Sequence, residues 1–222
     1  MKNKKITFPV LTMLALAGFL SACTPKLFRD LDMQVVSSVS LSRGTLMPVF
    51  DNITEPVYYT AQLDYQKTEE TGVSMMGILA MTQEAKGSYR LVMMSSFGVT
   101  LFDFSISRDS FVVNSCMDQM NKKVVLGILE KDFRSILMLN VPEKMKGRLY
   151  RTNSKPDWLG YGINADDGEC DYLIEPNGVS FKRTIQNGGP IKRMTAVFDE
   201  DVVTIQHPKL GLKIIMTKMP AQ

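Results

Sequence analysis

Lys86-Gly87-Ser88-Tyr89-Arg90-Leu91-Val92-Met93-Met94-Ser95-Ser96-Phe97-Gly98-Val99-Thr100-Leu101-Phe102-Asp103-Phe104 reads as two strands joined by a very short turn. A half-exposed hairpin alternates apolar and polar residues. Here both runs are apolar at nearly every position, so both faces are expected to be covered. Phe97 stands at the apex beside Gly98 and after two serines, where turn chemistry favours polar residues. Loop tips lie at the surface, so this aromatic is read as a side chain that meets a membrane or an apolar ligand.

Working outward, Val57, Tyr59, Ala61, Leu63 and Tyr65 alternate with polar positions and predict a half-buried strand. Glu69 to Gly72 turns the chain into a second strand over Met75 to Met81. After the hairpin, Arg108-Asp109 turns into Phe111-Val112-Val113. The period then changes. Met117, Met120, Val124, Val125, Ile128, Leu129, Phe133, Ile136 and Leu137 recur at three- and four-residue steps. This predicts an amphipathic helix over 117–139, N-capped by Asp118 and ended by Pro142. Seven short strands follow: Leu149 to Thr152, Trp158 to Asn164, Cys170 to Ile174, Val179 to Gln186, Ile191 to Phe198, Val202 to His207 and Leu212 to Lys218. Asp167-Gly168 and Asn177-Gly178 are hairpin turns, and Asn187 to Pro190 is another break. With no βαβ alternation, no repeat and no linker, the expected fold is mainly β. It is one curled antiparallel sheet of about eleven or twelve strands, a half-barrel whose single long helix covers or plugs it.

The first 22 residues read as a processing segment: Lys2, Lys4 and Lys5, then an apolar run from Ile6 to Leu20. Leu20-Ser21-Ala22-Cys23 has the pattern of a lipobox, in which Cys23 is acylated and becomes the first mature residue. An apolar run of about 15 residues is short for a spanning helix, which disfavours a single-pass anchor. Removing those three lysines from 26 basic residues leaves 23, equal to the 23 acidic ones. A neutral mature chain without a basic cluster argues against nucleic acid as a partner. Residues 23–55 are expected to be the lipid anchor and an N-terminal tether, with Leu27 to Leu31 alternatively a turn of helix docked on the sheet. Residues 56–222 are the half-barrel domain.

Tyr89-Arg90-Leu91 followed by a strand, the Ser95-Ser96-Phe97-Gly98 turn and a second apolar strand resembles the LolB-type outer-membrane lipoprotein receptors and the related LolA-type periplasmic carriers. The match is closest over residues 86–106 and keeps the same order over 56–219. The family's fold is a half-closed antiparallel barrel capped by helices. In it, the turn matching Ser96, Phe97 and Gly98 carries a protruding apolar residue that helps pass lipoproteins into the membrane. Here that residue is Phe in place of Leu, the helix region is more charged, the family's proline-rich connector is missing and the chain is longer. The resemblance implies an outer-membrane, periplasm-facing lipoprotein. It would be anchored by acyl chains on Cys23 and would accept lipoprotein acyl chains or other lipid, with a LolA-like periplasmic carrier as donor.

Catalytic chemistry finds few candidates. His207 is the single histidine, so neither a triad nor a His-based metal cluster can be assembled. Preceding Pro208, it reads as a surface turn residue. Asp166, Asp167 and Glu169, like Asp199, Glu200 and Asp201, read as solvated turns. No phosphate-cradling glycine motif is present, and no catalytic residue, metal or cofactor is expected. A hydrolase of envelope glycans or lipids would need convergent acids in a pocket. Cys116 and Cys170 could be bridged in an oxidising compartment or could be buried free thiols. Of the 16 methionines, Met75, Met76, Met93, Met94, Met194 and Met216 lie on strands. They either fill core gaps or line an adaptable acyl-chain cavity. The expected lining is Tyr59, Leu63, Leu91, Met93, Leu101, Phe102, Phe104, Phe181, Met194 and Phe198. Arg183 shares the apolar parity of its strand; it either faces inward to hold a lid through a backbone carbonyl or snorkels outward. The reading that follows is a membrane-anchored acyl-chain binder that helps insert lipoproteins. The alternatives are a structural adaptor of an envelope assembly, or a binder of another lipid or glycolipid.

Overall fold

The computed structural model describes residues 24–66, 72–178, 180–188 and 193–220. The segment 1–22, the lipobox Cys23, residues 69–71 of the expected first turn, Val179, residues 189–190 of the expected break and Ile191 lie outside the described residues.

Strands β2 (Val57–Gln66), β3 (Gly72–Ala85), β4 (Ser88–Ser95), β5 (Thr100–Ser107) and β6 (Phe111–Cys116) form a first meander. A helix, α2 (Lys123–Ile136), leads into a second meander of β7 (Lys144–Arg151), β8 (Leu159–Ala165), β9 (Gly168–Asn177), β10 (Ser180–Asn187), β11 (Met194–Asp199), β12 (Val202–His207) and β13 (Leu212–Lys218). β13 pairs antiparallel with β2, which joins the meanders into one open sheet of 13 strands. The expected curled antiparallel sheet with a covering helix is the fold observed. The sheet curls far enough for Arg108, on the β5–β6 turn, to pair with Asp166, on the β8–β9 turn, at 2.8 Å.

Alternation explains the layering. On β2, Tyr59, Ala61 and Leu63 are buried on the concave face while Tyr58 and Thr60 face outward. α2 lies inside the curl. Leu129, Phe133 and Ile136 join the same core as Phe102, Phe104 and Met216. Removing each such side chain from water contributes on the order of 1.5–3 kcal/mol. The helix is shorter than its apolar period. It is N-capped at Lys122 rather than Asp118, because residues 117–120 form a separate turn.

Of the two expectations for the N-terminal segment, the docked helix is the one observed, and the strand that follows it is built into the sheet. Helix α1 (Lys26–Asp30) packs on the outer face, where Phe28 stacks on Tyr150 with ring centroids 4.2 Å apart. Strand β1 (Gln34–Ser42) then pairs with β7 and forms one edge of the sheet. Gly160 makes the docking possible, since a Cβ there would meet the Phe28 ring at 2.8 Å. A second small core of Phe28, Met33, Tyr150 and Leu173 results, outside the curl.

Candidate functional site

The β4–β5 hairpin closes with the N–H of Gly98 donating to the Ser95 carbonyl (3.0 Å) and that of Ser95 to the Val99 carbonyl (2.8 Å). Gly98 adopts φ 77°, a left-handed conformation that suits glycine at this position of a three-residue hairpin loop. Phe97 is thereby held clear of the sheet, with 92% of its surface exposed. It does not stand alone. Met94, Met76 and Ile78 are exposed on the outer side, with Met94 paired to Ile78 across β3 and β4, and Val99 is exposed in the turn itself. The expectation that both hairpin faces are covered therefore fails on the outer face: only the concave face is packed by the chain itself.

Of the ten residues expected to line a cavity, nine meet on the concave face: Tyr59, Leu63, Leu91, Met93, Leu101, Phe102, Phe104, Met194 and Phe198 are all buried in one core. Phe181 is the exception. It keeps the inward parity of β10, but it stands near the strand's start beyond the packed interior and is exposed. The interior is filled. Between α2 and the sheet a gap of about 10 Å³ remains, lined by Leu63, Leu79, Met93, Phe102 and Phe133 among others. That is too small to hold more than a water molecule. Met81, Met93, Met194 and Met216 act as core filler in this conformation, whereas Met76 and Met94 face outward.

Besides its apolar packing, α2 is fixed by polar contacts, and most of these were not legible in the sequence. His207 is buried, not a surface turn residue. Its Nε2 lies 2.8 and 2.9 Å from the two carboxylate oxygens of Asp132 on α2. Burial pushes the Asp132 carboxyl up, and its bonds to His207 oppose that shift. Ser135 accepts from Asn187 Nδ2 at 2.5 Å, and Arg134 donates to the carbonyls of Ser107 and Arg108. Past the helix C-terminus, Arg43 donates Nη2 to the Leu137 carbonyl (3.0 Å) and Nε to that of Met138 (3.1 Å), with Asp51 holding the guanidinium from the other side at 2.7 Å. Met138 sits at φ 53°, a backbone conformation costly for a non-glycine residue. Arg183 takes the inward alternative: its Nη1 donates to the carbonyl of Met47 at 3.2 Å, and burial lowers its pKa. Met47 is also left-handed, at φ 52°. Arg43 and Arg183 thus clamp two strained segments that close the concave face, and they flank a second gap of about 10 Å³ lined by Leu46, Met47, Ile136, Met138 and Arg183 among others.

Cys116 and Cys170 are both free thiols. Burial raises the Cys170 thiol to about 12, which leaves it protonated and unreactive.

No family model matches this chain, and no curated protein or solved structure matches it.

Proposed function

We propose that this chain is an outer-membrane-anchored lipoprotein that receives acyl chains between α2 and the concave sheet and helps insert lipoproteins into the bilayer. The anchor is the acylated Cys23, and the donor is a soluble LolA-like periplasmic carrier. The observation that carries this reading is Phe97, 92% exposed at the apex of a hydrogen-bonded hairpin, with Val99 exposed in the same turn and Met94 and Met76 exposed on the adjoining outer face. Exposed apolar side chains gathered on one side of a sheet mark a membrane or protein contact. The interior supplies the other requirement, a largely apolar sheet face covered by one helix. α2 must move outward for acyl chains to enter, and its polar latches set how readily it does so.

The test is Phe97→Glu. It leaves the melting curve unchanged, because Phe97 contacts no core residue. It weakens vesicle contact on the order of tenfold, the equivalent of removing one buried aromatic, and lipoprotein delivery falls with it. Full delivery by this variant overturns the mechanism. The filled interior favours a second reading, a structural adaptor that uses the apolar patch to dock an envelope protein and holds no lipid. Mass spectrometry of the purified protein separates the two: co-purifying acyl lipid supports the first, and its absence together with a tightly bound protein supports the second.

A further inference from the structure

The outer face of β7, β8 and β9 carries a cleft of about 240 Å³ that has no part in the acyl-chain reading. Its layout follows from register. Arg148 on β7 lies opposite Gly162 on β8, and Gly162 lies opposite Asp171 on β9. One step along, Asn164 on β8 lies opposite Glu169 on β9, and Lys146 is the next outward residue of β7. Cations therefore line one wall, carboxylates line the other, and the strand between them has no side chain at Gly162. A Cβ there would sit 3.2 Å from the Tyr150 ring and 3.6 Å from an Asp171 oxygen. Two strand spacings separate the walls, roughly 10 Å. The ion pair spanning the gap, Arg148 to Glu169, is long at 3.7 Å and both side chains are largely exposed, so it is weak and readily exchanged for a ligand.

The position of the cleft names its occupant. Pro25 lines it, and α1 is fixed on the sheet immediately afterwards by the Phe28–Tyr150 stack. Cys23 is two residues from Pro25, a reach of at most about 7 Å. Acyl chains on Cys23 hold the bilayer surface against this face of the domain.

We propose that this cleft seats the headgroup of a zwitterionic bilayer phospholipid, its phosphate on Lys146 and Arg148 and its primary ammonium on Glu169 and Asp171. A purely anionic headgroup satisfies only one wall and meets the repulsion of the other. A phosphoethanolamine group, with phosphate and ammonium two carbons apart, satisfies both. Burial and the neighbouring Glu169 charge push the Asp171 carboxyl up to about 7. A bound ammonium opposes that shift by pairing with the ionised form. The seat would fix the domain's orientation on the membrane. It rests on the lipid-anchored reading above, and its test separates the two.

The acylated full chain is reconstituted in vesicles of phosphatidylcholine alone, or with added phosphatidylethanolamine or phosphatidylglycerol. Labelling of Lys146 by a membrane-impermeant amine reagent is followed by mass spectrometry, with Lys209 as the reference. Lys146 is expected to label about tenfold more slowly in phosphatidylethanolamine vesicles than in the other two, the scale of one charge-assisted hydrogen bond lost or kept. Arg148→Ala combined with Asp171→Asn removes the difference. Equal labelling in all three vesicles overturns the seat. So does stronger protection by phosphatidylglycerol, the mark of a plain cationic patch, and so does equal protection by soluble glycerophosphoethanolamine, the mark of a solute site. The mass of the N-terminal peptide reads Cys23 directly. An unacylated chain that still shows the protection overturns the anchor and keeps the seat.

Discussion

Phe97 reads as a residue type out of place in a turn and His207 as an ordinary surface turn residue, and the structure upholds the exposure of the first while burying the second. Phe97 was legible because a three-residue loop leaves its side chain no route inward. His207 was not, because its partner Asp132 lies 75 residues away on α2 and nothing local couples them. The pair is buried on both sides, with side-chain exposures of 7% and 1%. His207→Ala is expected to cost about 3–5 kcal/mol in urea unfolding, since it strands a buried carboxyl; Asp132→Asn with His207→Gln should recover much of that loss. Asp171 gives a pH signature of its own. Its folded carboxyl is pushed from 3.8 up to about 7 by burial and by Glu169, so the folded chain holds this proton more tightly than the unfolded one. The stability it contributes is complete below about pH 4 and is lost as pH rises through about 7. Urea midpoints across that window should decline for the wild type, and Asp171→Asn should flatten the decline.

Elements were recovered according to how much of their pattern came from burial. β2 alternates cleanly and was placed within a residue of its observed end. α2 announced its apolar face, but not its start, because Met117 and Met120 continue the period through a turn that is not helical. β1 was lost among serines. Val39 and Leu41 do alternate inward against Ser38, Ser40 and Ser42, but an edge strand has a single partner and its outward half looks like a linker. The docking of α1 was legible as one of two alternatives for Leu27 to Leu31, but its partner was not, since Phe28 meets Tyr150 only after β7 has joined the sheet. Arg43, next to β1, is the residue whose role most depends on this missed strand. Its guanidinium closes over the Leu137 and Met138 carbonyls at the C-terminal end of α2. Arg43→Ala leaves both without that donor, at about 1–3 kcal/mol. Amide hydrogen exchange is expected to speed up in α2 and in residues 137–141 while β9 to β13 stay protected, which would identify α2 as a separately opening unit.

At the scale of the whole molecule, an apolar interior and an empty one are different things, and sequence speaks only to the first. Nine of the ten residues expected to line a cavity are buried together on the concave face, yet these side chains close on α2 and leave gaps of about 10 Å³. The acyl-binding function proposed above therefore requires a change of state: α2 would leave, and fatty chains would replace its apolar face at little net loss of burial. Such an exchange can be blocked mechanically. Ser135 on α2 and Asn187 at the end of β10 already touch through their side chains, so Ser135→Cys with Asn187→Cys offers an oxidisable staple across the lid. The oxidised double variant should keep the native circular dichroism spectrum and take up no fluorescent fatty acid, and reduction should restore uptake. Undiminished uptake with the staple closed would mean that lipid does not enter under α2, and the interior would then be a core and nothing more.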